Sequence, residues 1–446
     1  MSGKEQLFEV SLEREGAYRS ISAALEAAER CVPDVTVPVR VLVAPGEYRE
    51  QVEIRRPYVT LEGETADSVR IVGGLGAKMP SEDGSGQDGR LGTFRTYTVL
   101  VDADDVTLAG LTIENNAGDG REVGQAIALY ADGDRLVVDA CCIKGHQDTL
   151  FLGPLPPREA KPGGFIGPKQ FAPRRVGRQY FRRCRIEGDV DFIFGGARAY
   201  FEGCEIRSLN RDMDVNGYVT AASTPQGEPY GFVFHGCSFT ADEGIAPGSV
   251  YLGRPWREWA QTVLLECWLG PHISLEGWWD WNKPAAHDGT LYAGGALFGP
   301  VGDTAAWVPW AHCLTGQDSE RYARDQVLAG TDGWDPEGGD GDAVETAGLS
   351  ANGRTVHIET DEPALRARLK REGRSAAFTG KTPTDFEAWK AATRTRLYDI
   401  LGLSLMDRAP IEIRELNRVR VAGSIVRTHA VLQVEHDVWM PFYLLE

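Results

Sequence analysis

Residues 138–151 read VDACCIKGHQDTLF, and residues 181–194 read FRRCRIEGDVDFIF. Laid over each other without a gap, Cys141 falls on Cys184, Ile143 on Ile186, Gly145 on Gly188 and Asp148 on Asp191. Self-similarity of this kind marks the stacked coils of a solenoid. Equivalent positions on neighbouring coils lie one strand spacing apart, roughly 4.8 Å. The alignment therefore predicts Asp148 and Asp191 one above the other on a single face. Two carboxylates held that close do not both ionise at low cost: one tends to keep its proton while the other stays charged. One residue type then supplies both an acid and a nucleophile or base. Asp is also an ordinary turn residue. These two, however, sit among apolar residues, where a carboxylate is costly to bury without a partner or a purpose.

The same pattern spreads outward along the chain. The phrases YFRRCRI, YFEGCEI, FVFHGCSF and VLLECWL carry Cys184, Cys204, Cys237 and Cys267 at equivalent places. With Cys141 they predict a column of small, buried, reduced side chains running up the solenoid. None of the eight cysteines is in a CxxC pair with metal-like spacing, so no metal site is expected. Short β-rich runs separated by Gly, Asp and Asn turns fill the chain from residue 37 onward. Their repeat length is irregular, which fits a parallel β-helix better than a propeller or a helical solenoid. A sandwich would leave the recurring motif unexplained. A helix over Tyr18–Cys31, N-capped by Ser20 with Ile21, Ala24, Leu25 and Ala28 on one face, suits the cap that an open solenoid end needs. Asp318–Leu328 is a second helical stretch, placed to cap or pack on the far end. The Pro- and Gly-rich segment Gly153–Arg178 reads as a long loop projecting beside the two aspartates. The expected fold class is mainly β: a right-handed parallel β-helix solenoid with helical caps, plus a small C-terminal α+β segment. The expected domains are residues 1–336, an acidic Gly-rich linker at 337–348, and the segment 349–446. That last segment reads as two amphipathic helices, at 362–373 and 385–403, followed by two or three antiparallel strands.

The chain has 446 residues, enough for two or three domains, and its 42% hydrophobic content suits a sizeable core. A net charge of −18 makes nucleic acid and anionic membranes poor partners for the whole surface. A polyanionic substrate would need a local basic patch. Lys169–Arg185, with seven Lys and Arg and no acidic residue, is the one candidate, although such runs are most often solvated faces. The amino terminus, MSGKEQLFEV, has no apolar signal core, and no stretch approaches membrane-spanning length. The expected location is cytoplasmic, or secreted if a leader was removed.

From about residue 7 to residue 336 the chain resembles the pectin methylesterases, a right-handed β-helix family. The matching phrases are GEYRE at 46–50, QAIAL at 125–129, QDTL at 147–150, DFIFG at 191–195 and LGRPW at 252–256. The resemblance implies a carbohydrate esterase that releases methanol from methylated homogalacturonan or oligogalacturonides without metal or other cofactor. It implies Asp191 as nucleophile, Asp148 as general acid and then base, Gln147 as oxyanion donor and Gln125 as a second polar group beside it. Arg254 would pair with the nucleophile and keep it ionised. Trp256, Trp278 and Tyr218 would contact the sugar. The Gly153–Arg178 insertion departs from the common plant pattern and puts the cleft shape at issue. The tail resembles the lead-in of α/β-hydrolase esterases, which implies a truncated hydrolase amino terminus; no G-x-S-x-G elbow occurs in the chain. The rival readings are a β-helix polysaccharide lyase or hydrolase, and a catalytically silent β-helix that only binds.

Overall fold

The computed structural model describes residues 4–337 apart from 82, 83 and 85, a few residues between 382 and 394, and the backbone of three strands between 413 and 445. The chain divides into two compact units, Met1–Asp342 and Ala343–Glu446. In the first, strands of two to six residues recur coil after coil and assemble into three parallel sheets. The first sheet has eleven strands, from Gln6–Val10 to His312–Cys313; the second has seven, from Val52–Ile54 to Val250–Gly253; the third has eight, from Gly46–Tyr48 to Trp268–Leu269. Every pairing in them is parallel, between a strand and its equivalent on the next coil, as a right-handed parallel β-helix requires.

The 43-residue offset read from the sequence holds in all three sheets. Asp139 pairs with Arg182 in the first, Ile143 with Ile186 in the third and Leu150 with Ile193 in the second. Alternate side chains of each strand enter one continuous core of Val, Leu, Ile and Phe. Phe181, Phe201 and Phe234 stack up that core at ring separations of 4.8 and 4.4 Å.

The turn from the first sheet to the third explains the cysteine phrases. One residue per coil takes left-handed backbone: Gly110, Ala140, Arg183, Gly203, Gly236, Glu266 and Ala296, with φ between 50° and 62°. That single residue redirects the chain, and the next side chain points inward. Cys141, Cys184, Cys204, Cys237 and Cys267 occupy this inward place, buried and unpaired as expected. Each of the last four donates its thiol to a carbonyl of the preceding coil, as Cys184 does to Val138 O at 3.3 Å and Cys237 to Phe201 O at 3.4 Å. Burial pushes the Cys184, Cys204 and Cys237 thiols far up, so they stay protonated.

The amino-terminal helix runs over Ile21–Cys31, three residues shorter than its sequence signal. Ser20 Oγ accepts from Ala23 N at 3.2 Å, and the Glu50 carboxylate accepts from the amides of Ile21 and Ser22. Ile21, Ala24, Leu25 and Ala28 face the core as predicted. The second helical stretch breaks into Gly316–Glu320 and Arg324–Val327. It does not close the far end: Tyr322, Val327 and Leu328 pack with Tyr180, Tyr200 and Val233, alternate residues of the first sheet, along its flank. Residues of the last coils, including Trp278 and Tyr292, extend the core at the far end.

The basic run 169–185 is not a free patch, although Arg175 and Arg183 stay largely exposed. Lys169 meets Asp102, Arg175 meets Asp104, Arg178 meets Asp134 and Asp332, and Arg182 and Arg183 share Asp139. Arg174 donates to the carbonyls of Lys169, Gln170 and Ala172. In the second unit, Ile413–Ala422, Ile425–Glu435 and Val438–Leu445 form a three-stranded antiparallel sheet, the strands read from the tail. Residues 338–348 of the expected linker and most of the two expected tail helices lie outside the described residues.

The left-handed turn column carries a direct test. No neighbouring atom lies within 4 Å of where a Cβ on Gly203 would stand, so Gly203→Ala adds backbone strain alone. It should lower stability by about 1 kcal/mol, and Ala296→Gly should not lower it at all, both measured by denaturant unfolding.

Candidate active site

Two left-handed residues outside the turn column are Asp148, with φ 64°, and Asp191, with φ 50°. Both precede or open strands of the second sheet, and both lie at the same place on successive coils. Asp is among the few non-glycine residues that enter this region readily. At Asp191 the pairing slips: between the pairs Val190–Tyr218 and Ile193–Thr220, two residues, Asp191 and Phe192, face the single Val219. Such a bulge re-aims one side chain. Phe192 fills the core, and the Asp191 carboxylate turns towards Arg254. Asp148 is fixed from behind, its amide donating to Val190 O at 3.0 Å.

Arg254 meets Asp191 with both prongs, Nε to Oδ1 and Nη2 to Oδ2, each at 2.7 Å. Its guanidinium is clamped between two rings, 3.9 Å from the centre of Tyr218 and 3.8 Å from that of Trp281. Both partners are nearly dry, with side-chain exposures of 11% and 8%. Breaking a buried pair of this kind costs about 3–5 kcal/mol, because the partner left behind is an uncompensated charge. Asp148 has no such cation. Its carboxyl is held well above the usual range, first by burial and then by the charge on Asp191. Burial also raises Asp191, and Arg254 opposes that rise, so Asp191 is lifted less than Asp148. The ion pair therefore splits two like residues into a protonated and a charged member.

The two carboxyls open into a cleft of about 330 Å³. Gln125, Gln147, Arg254 and Trp256 line it beside them, with Phe94, Phe165, Phe194, Ala221 and Trp281 as apolar walls. Gln147 directly precedes Asp148, and its amide side chain lies over Gly120, where a Cβ would come within 2.6 Å of Oε1. The amide of Ala126 donates to Gln147 O at 3.0 Å and so ties the two glutamine segments together.

Of the residues singled out in the sequence, Asp148, Asp191, Gln147, Gln125, Arg254 and Trp256 share the cleft. Tyr218 stands under the Arg254 guanidinium and does not line it. The expectation for Trp278 needs correction: it is fully buried and stacks on Tyr292 at 4.2 Å. It belongs to the core because it continues the second sheet by a bridge to Gly253, with its ring turned inward. Trp281, three residues on, takes the place on the cleft. Sequence reading missed Trp281, Phe194, Arg257 and the insertion residues Lys161 and Phe165. It also missed a second stacked pair, His146 Nδ1 to Asp189 Oδ2 at 3.0 Å, although these residues too fall on each other in the 43-residue alignment.

A bidentate arginine on one of two stacked aspartates, facing a cleft with two amide side chains on a parallel β-helix, makes a carboxylate-pair site. The Pectinesterase family model matches residues 8–154 and 174–331. The chain belongs to that family. It is 31% identical over 331 residues to a probable pectinesterase/pectinesterase inhibitor from Arabidopsis thaliana, covering 72% of this chain and 52% of the relative. It thus spans about half the length of the leading curated relatives. Among solved structures it is similar to a pectin methylesterase in complex with a hexasaccharide, with a TM-score of 0.59 and 26% identity over 74% of this chain and 98% of that one. Pectin methylesterase PemA from Erwinia chrysanthemi gives a TM-score of 0.58 and 25% identity over 75% and 99%.

The asymmetry of the pair is measurable. A carboxyl whose folded pKa stands above its unfolded value adds stability at acid pH and loses it as pH rises from the unfolded value towards the folded one. Asp148→Asn removes that loss. The variant should be at least about 1 kcal/mol more stable than the parent at pH 7, with the gain vanishing below pH 4. Arg254→Gln should raise the Asp191 titration by about one unit or more, read by carboxyl carbon NMR.

Proposed function

We propose that this chain hydrolyses methyl esters of galacturonate units in pectin or oligogalacturonides and releases methanol. The observation that carries the reading is the division of labour between the stacked aspartates: Arg254 chelates Asp191 and leaves Asp148 without a cation. Asp191, charged and oriented, attacks the ester carbonyl and forms an acyl-enzyme. The amides of Gln147 and Gln125, on the same cleft, offer uncharged donors to the oxygen that becomes negative. Asp148, protonated, gives its proton to the departing methanol, then takes one from the water that cleaves the acyl-enzyme. The apolar wall of Trp256, Trp281 and Phe194 suits the face of a sugar ring. The esterase domain is taken as residues 1–336.

The relatives' names point to pectin, and one neighbour was solved with a bound hexasaccharide. Among the described residues no helix is long and apolar enough to cross a membrane. The cytoplasmic location expected from the amino-terminal sequence finds no support among these relatives, and the reading does not depend on it.

The test is methanol release from methylated oligogalacturonides with chelator present, comparing the parent with Asp191→Asn. The parent should turn over, and the variant should lose about a thousandfold or more in kcat. Activity of the parent should fall at low pH as Asp191 protonates and at high pH as Asp148 loses its proton. Equal release by both proteins would remove Asp191 from the nucleophile's role.

A further inference from the structure

The insertion that supplies one wall of the cleft has no regular structure to hold it in place. No strand or helix lies between Leu152 and Arg178. Among the described residues, backbone-to-backbone bonds from 155 to 176 stay inside the segment, as turns. Its position against the coils is therefore set by side chains. Phe165 is the wall residue: it is buried, edge-on to Phe94 at 5.6 Å and to Trp256 at 6.3 Å. Near the start of the segment, Arg257 donates to Arg158 O at 3.2 Å. At its end, Arg178 forks onto Asp134 and Asp332. Between these ties stand Lys169, four residues after Phe165, and Arg175. Phe165 and Lys169 both lie between the two stretches that match the family model.

Lys169 has a particular place. Asp102 and Asp132 follow the paired strands Val99–Val101 and Leu129–Ala131, so they occupy the same turn on successive coils. They are a further stacked pair of acids, remote from the catalytic pair in sequence. Lys169 bridges them: its ammonium bonds Asp102 and lies 3.5 Å from Asp132 Oδ2, with only 14% of its side chain exposed. Arg174 donates to the carbonyls of Lys169, Gln170 and Ala172 and so fixes the turn that follows. Apolar packing does not back this contact up. A pocket of about 280 Å³ lies at the same place, lined by Arg55, Asp102, Asp104, Asp132, Lys169 and Arg175 with only Pro57 and Ala103 besides. The segment is held here by charge.

We propose that Lys169 is a positioning residue for the cleft: by bridging Asp102 and Asp132 it holds the insertion down, so that Phe165 stays seated between Phe94 and Trp256. Without Lys169 the two aspartates face each other as like charges, and nothing else within reach of Phe165 ties the segment to the coil turns. The wall then lifts. Asp148, Asp191, Arg254 and both glutamines stand on the coils and not on the insertion, so the loss falls on substrate holding and not on chemistry. The kinetic consequence rests on the esterase reading; the docking itself does not.

Two measurements on the full chain separate the dock from the esterase reading. Hydrogen exchange, read by mass spectrometry, needs no substrate. Lys169→Gln should speed exchange across 160–168 and leave the strands Leu136–Asp139 and Arg198–Glu202 unchanged; Lys169→Arg should restore most of the protection. Methanol release from fully methylated hexagalacturonate supplies the second arm, since that substrate carries no charge of its own for salt to screen. Lys169→Gln should raise KM about tenfold with kcat within about twofold of the parent. Added salt should raise the parent's KM and leave that of Lys169→Gln unmoved. Asp332→Asn is the control: it removes one partner of Arg178 at the end of the same segment, leaves Asp134 in place, and should keep the parent's KM. Unchanged exchange in Lys169→Gln would overturn the proposal. So would faster exchange with KM unmoved, or an equal rise of KM in Asp332→Asn. No methanol release by the parent would sink the esterase reading, and exchange would still decide the dock.

Discussion

Every coil of this solenoid is held to the next by in-register parallel pairing, and the rest of the molecule depends on that register. A strand of three residues has too few hydrogen bonds and too little apolar surface to stand alone. Stacked eleven deep in the first sheet, such strands enclose a core in which like side chains meet like. The insertion at 153–178 lengthens the offset between these two coils to 43 residues, against 20 between Phe181 and Phe201 on the next pair, yet the strands still pair in register, because a loop that leaves and re-enters at the ends of neighbouring strands changes no pairing. The cysteine column, the phenylalanine stack and the aspartate pair are three readings of one constraint.

Chemistry enters where the regular coil is broken. A left-handed backbone at Asp148 and Asp191, with a bulge at the second, puts two carboxyls on the side of the sheet where a cleft can form. Stacking alone would leave two equivalent acids. Arg254 makes them unequal, and Tyr218 and Trp281 fix Arg254 by gripping both faces of its guanidinium. A lysine could not reproduce this, because the paired geometry uses the planar fork and the stacking uses its flat faces. The Asp189–His146 contact lies one alternate position back on the same two coils. The hydrogen bond to Asp189 raises the His146 pKa against the opposing effect of burial, and the charge of Asp189 pushes both site carboxyls up.

The insertion shows how a solenoid gains a cleft wall without altering its core. Its basic residues are spent on aspartates at the coil turns, Asp102, Asp104 and Asp134, so what reads as a basic run is a row of local neutralisations. Phe165 then carries the loop back onto the aromatic wall. A charge count along the sequence has no access to this, because the aspartates concerned lie about 40 to 70 residues away.

The sequence by itself determined the repeat, the register of the two coils that carry the aspartates, the inward cysteines and the stacked aspartates, since like short-range patterns on adjacent coils can pair in only one way without exposing the core. Gln125, Gln147, Arg254 and Trp256 came from the resemblance to a known family, through the phrases QAIAL, QDTL and LGRPW. Tertiary structure alone decided which tryptophan faces the cleft. Trp278 and Trp281 share a tryptophan-rich phrase with nothing local to tell them apart. A bridge to Gly253 turns the first inward, and left-handed backbone at the second carries its ring out over Arg254. Tertiary structure likewise decided that the far helices lie along the flank and that Lys161 reaches the cleft. Both outcomes depend on surfaces assembled from distant coils, and no stretch of sequence contains them.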